Sequence, residues 1–417
     1  MARGGRGQGG GAGGVVRRMK SEEQRGEGRT RQLQLAVGIL AVAVIEGECE
    51  GGRWSGEACI ETMRDQEDVS EEITVVERTY ELLQHRWAKG RCKDCGHIVS
   101  VPRPKRPVAG GRYSTDFAVA VAVDKYCDHQ PLARQVQRMR RVGLKVTSQT
   151  LWDQLHGMHY HLVPTLCAHH DSILEALLIH ADETTWRLMK RGHSKKWWVW
   201  SVSTPDAVYY QLMPSRGAKA ATLILKDYAG TVMADGYVVY AKLEKALDKA
   251  GGRQTHIDQD GNTQQEYKPN YTLVTCWSHA RRYFHKADKA GTIEAARALD
   301  LIGGLFRIEA QITELAAGDE QRLHQHRAEL RPLLSKPIID KLDTWRKQQR
   351  ALPKSHFGEG LTFLDNQWHS LIRFLREPIV PLDNNEAERG MRGPVLGRKN
   401  HYGSRSEQGT MVAAMFY

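Results

Sequence analysis

The segment 176–188 reads ALLIHADETTWRL, and the hydrophobic period changes here in the way that decides the fold class. Upstream residues follow a helical period. From this segment onward, short runs rich in Val, Ile, Tyr and Trp, such as KKWWVWSVST, AVYYQLM, GTVMAD and YTLVTCW, alternate with helical stretches. Because β-branched and aromatic residues favour strands, these runs predict a mixed sheet. The fold class that we expect is α/β.

Two aspartates follow runs that are predicted to be strands. Asp182 follows LLIHA and Asp235 follows GTVMA. Ligand sites in open α/β sheets lie beyond the carboxyl ends of strands, so we expect both carboxylates at one edge of the sheet. Glu183 is expected on the opposite face of its strand, because successive side chains alternate. A single aspartate at a strand end is more often a turn or cap residue, so the pair carries the argument.

A third acidic group lies in the segment 381–393, PLDNNEAERGMRG. Asp383 is predicted to cap a helix, and Glu386 three residues later completes a capping box. Glu388 is then left for another role, either an i,i+4 ion pair with Arg392 or metal binding. Three carboxylates suit hard cations such as Mg²⁺, and a pair of such ions about 4 Å apart supports phosphodiester chemistry.

The charge of the chain favours a polyanionic partner. Lys and Arg total 60 against 49 acidic residues, which gives a net charge of +11 and a pI near 9.3. Two basic groups are candidate contacts to DNA phosphates, one at a predicted helix start in CWSHARRYFHKA and one around Glu388; a surface cluster that binds nothing is the alternative. The candidates are His279, Arg281, Arg282, Arg389, Arg392, Arg398 and Lys399.

The N-terminal segment 1–55 is rich in Gly and Arg and is predicted to be disordered, either as a nucleic-acid tether or as a solvated tail. Its apolar run 35–45 is about half the roughly 20 residues that a bilayer needs, and no small-residue cleavage site follows it. We therefore expect a cytoplasmic protein without a membrane partner.

A Cys-x-x-Cys knuckle at Cys92 and Cys95 forms the centre of a predicted zinc-finger-like module over residues 56–101. Cys59 is a further candidate ligand, but Gly56 stands where its Cys-x-x-Cys partner would be. Structural Zn²⁺ and a metal-free knuckle both remain open. The seven cysteines are odd in number and scattered, which argues against a disulfide framework.

The rest of the chain is predicted to be organised in three parts. A basic, Pro-rich linker covers 102–115. Helices over 116–175, with Gly143 ending the second and Thr147 or Ser148 capping the third, form either a helix-turn-helix-like DNA-binding segment or a plain helical subdomain. The domain 176–417 holds the sheet, with an amphipathic helical insertion over about 287–376.

With these residues in view, the segment 68–417 resembles a bacterial insertion-sequence transposase of the IS-sixty-six type, a member of the DDE (RNase H-like) superfamily. HADETTWRL, ADGYVVYAKL, CWSHARRYF and LDNNEAERGMRGPVLGRKNHYGS carry the resemblance. It implies an RNase H-like catalytic domain with Asp182, Asp235 and Glu388 as catalytic ligands of two Mg²⁺ or Mn²⁺ ions. Cys276-x-x-His279 resembles a signature of many such transposases.

The same resemblance shows where this chain departs from the family. Gly56 replaces the first cysteine of a zinc-binding module, and residues 1–55 do not match the family. Because relatives continue beyond GTMVAAMFY, we expect a catalytic domain that is truncated at its C-terminus.

The implied function is cutting DNA at the ends of a mobile element and joining the 3′-hydroxyl to target DNA. The expected partners are double-stranded DNA (terminal inverted repeats and target), other copies of the chain, and element-encoded accessory proteins, at the nucleoid. Two alternatives are an inactive relic that only binds DNA and an RNase H-like nuclease acting on RNA–DNA hybrids.

Overall fold

We analysed a computed structural model of the chain. It describes residues 47–49, 52–54, 79–85, 89–91, 93, 95, 97–100, 105–190, 193–247, 256–257, 263–264 and 270–417. The chain divides into two compact units, residues 1–77 and 78–417. In the first unit, strands β1 (Gly47–Cys49) and β2 (Gly52–Trp54) pair antiparallel. This hairpin lies in the segment 1–55, for which the sequence predicts no regular structure.

The second unit begins with a hairpin and three helices. Strands β3 (Lys89–Arg91) and β4 (Ile98–Ser100) pair antiparallel, and helices α1 (Thr115–Tyr126), α2 (Leu132–Arg141) and α3 (Ser148–Ile173) follow. The Thr147 hydroxyl accepts from Thr150 N at 3.1 Å, so Thr147 caps α3 as the sequence predicts. Gly143, with φ of +87°, lies in the turn between α2 and α3.

A five-stranded mixed sheet forms the centre of this unit. Its strands are β5 (Leu178–Lys190), β6 (His193–Ser203), β7 (Val208–Met213), β8 (Thr231–Ala234) and β11 (Thr272–Thr275), in the order β11-β8-β5-β6-β7. Pairs β11–β8 and β8–β5 are parallel, and β5–β6 and β6–β7 are antiparallel. A separate hairpin joins β9 (His256–Ile257) and β10 (Thr263–Gln264). The α/β prediction is confirmed.

Helices cover both faces of the sheet. On one face, α4 (Ala218–Leu225) and α5 (Val238–Leu247) share a core with Trp200. The other face carries α6 (Trp277–Lys289), α7 (Glu294–Ala316), α8 (Glu320–Leu330), α9 (Lys336–Gln348) and α10 (His356–Leu371). Then follow α11 (Asn385–Gly390), α12 (Arg392–His401) and α13 (Glu407–Phe416). None of the helices among the described residues has the length and apolar character needed to cross a membrane.

A buried ionic network anchors the helical layer to the segment that leads into α11. Arg331, 1% exposed, donates to Glu309 Oε1 at 2.6 Å and to the carbonyl oxygens of Phe374 and Val380 at 2.7 and 2.8 Å. Arg327 donates to Glu309 Oε2 at 3.1 Å. Because each buried charge has partners, the network ties residues 374–380 to the helical layer.

Candidate active site

The register of β5 and β8 brings the two aspartates side by side. His180 lies opposite Met233 in the parallel pair, and β8 ends at Ala234. Two residues beyond this pair lie Asp182, within β5, and Asp235, directly after the end of β8, and neighbouring strands are about 4.8 Å apart. Because alternate residues share a face, both lie on the face of His180 and Met233, which α6 and α10 cover.

Asp182 is not at the end of its strand, which corrects the sequence prediction. β5 continues to Lys190 and pairs along its length with β6, with Asp182 opposite Ser201. The reason is the sequence TTWRLMK after Asp182, whose β-branched and aromatic residues extend the strand. Asp235 does follow the end of its strand. The shared position of the two aspartates therefore comes from the parallel register.

The Asp182 carboxylate lies in a negative, partly buried environment. Its Oδ1 accepts a hydrogen bond from Glu183 N at 2.8 Å. Burial, which is the largest cause, and the charges of Glu183, Asp235 and Glu388 together raise the pKa of Asp182 to about 7, against the hydrogen bond from Glu183 N. The three predicted ligands thus share one electrostatic environment, in which negative charge accumulates.

A glycine turn holds Asp235 in place. Its Oδ1 accepts from Tyr237 N at 2.8 Å. Gly236 between them has φ of +92°, and a Cβ there would lie 2.7 Å from the Phe363 ring. Gln367 of α10 donates to Gly236 O at 3.2 Å. The turn therefore accepts only glycine, and α10 supports it.

Glu388 is positioned by a buried asparagine that sequence reasoning missed. Asn384, fully buried, donates through Nδ2 to Ala181 O at 3.0 Å, and its Oδ1 lies 2.7 Å from His180 Nδ1. Because the amide oxygen accepts, Nδ1 of His180 carries the hydrogen. The backbone N of Asn384 donates to Cys276 Sγ at 3.2 Å. These contacts fix the start of α11 against β5 and α6.

The predicted capping box at this helix is wrong. Asn384 is the N-cap residue of α11, and Asp383 Oδ1 accepts from Asn385 N at 3.1 Å. Glu386 forms its ion pair with Arg389. The physical reason is that Asn384 is drawn into the sheet by its amide contacts, so the helix begins one residue later than the pattern implies.

Glu388 pairs with the basic face of α6. Its Oε1 lies 3.3 Å from Arg282 Nη2 and 3.6 Å from His279 Nε2. The i,i+4 alternative with Arg392 does not appear among the ion pairs of the described residues. Burial lowers the pKa of His279, whereas the charges of Asp235 and Glu388 oppose that shift. His279 Nδ1 is buried and finds no hydrogen-bond partner in the part of the chain described.

The carboxylates do not form a compact ligand cluster in this conformation. Among the described residues, no group of three or more His, Cys, Asp or Glu side chains is close enough to hold a metal ion. Asp182, Asp235 and Glu388 share a face and influence one another, but Glu388 is engaged with Arg282. Metal binding by the three therefore stays a prediction.

Glu183 faces away from Asp182, as the sequence predicts. Its carboxylate is buried and accepts from Arg216 Nε at 2.8 Å and from Tyr240 Oη at 3.0 Å. Burial and the charge of Asp235 raise the pKa of Glu183 to about 7, against the hydrogen bonds from Arg216. Arg216 in turn lies over the Tyr237 ring at 3.8 Å. Nothing in the sequence around Arg216 indicates this pairing, because the partners are far apart in the chain.

Some of the basic residues predicted to contact DNA phosphates have partners within the chain, and others are exposed to solvent. Arg398 donates to Thr185 Oγ1 at 2.8 Å, so α12 uses it to hold β5. Arg389 is paired with Glu386, and Arg282 with Glu388. Arg281, Arg392 and Lys399 are exposed.

The candidate zinc ligands lie largely outside the described residues. This applies to Cys59 and Cys92, whereas Cys95 is exposed and is a free thiol. The zinc prediction therefore stays a prediction.

A family model described as Transposase IS66 family matches residues 110–412, a span that includes the sheet, its helical layer and all three acidic residues. The chain belongs to this family. The resemblance read from the sequence motifs is therefore confirmed.

Three curated Sinorhizobium fredii proteins (strain NBRC 101917 / NGR234) are similar to this transposase-family chain. Uncharacterized protein y4hP is 26% identical over 84% of the chain and 63% of its own length. Proteins y4qI and y4jD are 29% and 26% identical, each over 82% of the chain, and 62% and 64% of their own lengths. The chain spans less than two thirds of each relative.

Proposed function

We propose that this chain is a transposase that cuts DNA at the ends of a mobile element and joins the freed 3′-hydroxyl to target DNA. The observation that carries the proposal is the parallel register of β5 and β8, which brings Asp182 and Asp235 side by side, with Glu388 near enough for its charge to act on Asp182. Membership of the transposase family supplies the reaction class. We further propose that the sheet and its helices form an RNase H-like catalytic domain of the DDE type.

The donor set fits divalent cations. Asp182, Asp235 and Glu388 offer oxygen donors on one face of the sheet, and Mg²⁺ and Mn²⁺ favour such ligands. Such ions, when bound, activate an attacking oxygen and stabilise a leaving one. The raised pKa of Asp182 supports this assignment. Its buried carboxylate is unfavourable when charged, and a bound cation would neutralise that charge. Glu388 would have to give up its contact with Arg282 to hold such a cation.

The protein's own groups then supply orientation. Asn384 sets the position of Glu388, and the Gly236 turn sets that of Asp235. Arg282 and His279, released from Glu388, lie where a DNA phosphate at the acidic face would need counter-charge. We propose that the terminal repeats and the target DNA bind as double-stranded partners. Helices α1–α3 and the N-terminal module, with or without zinc, would recognise the repeats, and several copies of the chain would assemble on the DNA with accessory proteins.

The test is a cleavage assay on a plasmid that carries the genomic sequences flanking the gene. Wild-type protein is incubated with Mg²⁺ or Mn²⁺, and nicked and linear products are mapped by primer extension. Asp235→Asn and Glu388→Gln, which keep the side-chain shape and remove the charge, should each lower the cleavage rate about 100- to 1,000-fold, the range seen when one group that stabilises a charged transition state is lost. Binding of the same DNA, measured by gel shift, should change less than threefold.

A matched control is Asp206→Asn, which removes a carboxylate from an exposed turn of the same domain. It should cut like the wild type. Cleavage that survives in Asp235→Asn would overturn the metal-ligand assignment. DNA binding by the wild type without any cutting in either metal would favour the relic, and cutting of RNA–DNA hybrids without joining would favour the nuclease.

A further inference from the structure

A groove lies directly beside the turn that carries Asp235. Its volume is about 720 Å³, and Gly236 forms part of its wall. The side chains that give it chemical character are Lys242, Lys245, Tyr283, Glu359, Phe363 and Asn366. Gly236, which lines the groove, directly follows Asp235 in the chain, so the groove is adjacent to the candidate active site.

Three helices build the groove from stripes of residues spaced three and four apart. α5 contributes Lys242 and Lys245, which are exposed, while its opposite face packs in the core. α10 contributes Phe363 and Asn366 from the stripe next to its buried face, and α6 contributes Tyr283. Since all three helices are anchored by their apolar faces, the groove is part of the folded scaffold.

One face of α6 connects the groove to the acidic residues. His279, Arg282, Tyr283 and Lys286 follow one another at i, i+3, i+4 and i+7, so they form a single stripe along the helix. The first two contact Glu388, and Tyr283 lines the groove. A DNA strand whose phosphate lies at the acidic face can continue along this stripe into the groove.

The groove combines aromatic rings with cations. The Tyr283 and Phe363 rings lie 5.1 Å apart at 34°, and Lys286 Nζ lies 5.9 Å from the Tyr283 centroid. The acidic member of the lining, Glu359, lies 3.5 Å from His356 Nδ1. Aromatic faces for bases together with lysines for phosphates are the combination that binds single-stranded nucleic acid.

We infer that this groove binds one or two unpaired deoxynucleotides of the DNA strand that leaves the candidate active site. Tyr283 and Phe363 stack the bases, Lys242 and Lys245 contact the phosphates, and the Asn366 amide faces base edges. The groove volume of about 720 Å³ lies in the size range of pockets that bind small ligands. The inference rests on the proposed function, because it assumes that the nucleic acid at Asp235 is DNA.

The first test measures the affinity of the full chain for a fluorescent single-stranded 15-mer in EDTA, where no cutting occurs. The double variant Lys242→Glu/Lys245→Glu should bind at least tenfold more weakly. Loss of two phosphate contacts should also reduce the slope of log K against log salt by about 1.4. The matched control is Lys219→Glu/Lys341→Glu, which makes the same charge change on exposed residues of α4 and α9. It should bind like the wild type.

The second test locates the bases. A 15-mer with 5-iododeoxyuridine at single positions is irradiated on the protein, and the adduct is mapped by mass spectrometry. We expect the adduct at Tyr283 or Phe363. Tyr283→Leu should lose any adduct at position 283 and bind about 5- to 100-fold more weakly, as for loss of one stacked base, and Tyr283→Trp should restore binding.

The inference would be overturned if Lys242→Glu/Lys245→Glu and Lys219→Glu/Lys341→Glu lowered the affinity for the 15-mer equally. Adducts that map outside α5, α6 and α10 would also overturn it. Preference for a blunt duplex over the single strand would also overturn it. Because these measurements need no cleavage, their failure is separate from a failure of the plasmid assay, which tests the acidic residues alone.

Discussion

Replacing Asp182 by Asn should stabilise the protein, and the gain should depend on pH. The pKa of Asp182 is raised from 3.8 to about 7 in the folded chain, mainly by burial. The folded state therefore binds the proton more tightly than the unfolded state. The stability that this proton contributes is complete below pH 3.8 and is lost as the pH rises to about 7. Above that pH the wild-type protein carries an unfavourable charge that the amide lacks.

The magnitude follows from the two pKa values. The difference between 3.8 and about 7 corresponds to at most about 4 kcal/mol, at about 1.4 kcal/mol for each tenfold change in proton affinity. Because Asp182 is partly exposed to solvent, screening reduces this, and we expect about 1 to 2 kcal/mol. For a domain of this size, that raises Tm by about 2 to 5 °C at pH 8.

The assay is thermal unfolding of Asp182→Asn and wild type between pH 5 and pH 8, followed by circular dichroism in EDTA. The gain in unfolding free energy at pH 5 should be about a third of the gain at pH 8. The reason is that pH 5 lies only about a third of the way from the unfolded-state pKa of 3.8 to the folded-state pKa of about 7. Asp206→Asn, in an exposed turn, is the control and should show no pH-dependent gain. Asp182→Asn that destabilises the protein, or a gain independent of pH, would refute the electrostatic reasoning.

The remaining predictions concern the groups that position the acidic residues. Asn384→Ala should lower stability by about 2 to 4 kcal/mol, because it leaves His180 Nδ1 and Ala181 O unpaired in the core; denaturant unfolding checks this, and a loss below 0.5 kcal/mol would contradict it. Gly236→Ala should cost about 1 to 3 kcal/mol from its positive φ and the contact with Phe363, and the same titration with no shift in midpoint would be the contrary result. Arg282→Gln should raise Mn²⁺ affinity severalfold by freeing Glu388, measured by calorimetry, and unchanged or weaker affinity would argue against the exchange.

Local patterns were sufficient to predict the α/β class and to place Asp235 after a strand. The alternation of side chains also predicted correctly that Asp182 and Glu183 face opposite sides. These features depend on residues that are neighbours in the chain. Family motifs identified the transposase family, which the match over residues 110–412 confirms.

What the sequence did not predict depends on distant contacts. Asn384 contacts Ala181, about 200 residues earlier, so its role is invisible in a local capping pattern. Arg398 looks like a free phosphate ligand in its basic segment, yet Thr185 accepts its hydrogen bond. The groove beside Asp235 requires α5, α6 and α10 to meet, and these helices are far apart in the chain.

The central claim is that Asp182, Asp235 and Glu388 together bind divalent cations. Fe²⁺ substituted for Mg²⁺, with ascorbate and peroxide, cuts a polypeptide chain next to the residues that hold the metal. We predict backbone cuts near all three positions in the wild-type chain, suppressed by excess Mg²⁺ and lost at all three in Asp235→Asn. Cuts at only one of these positions, or a pattern unchanged in Asp235→Asn, would contradict a shared metal site.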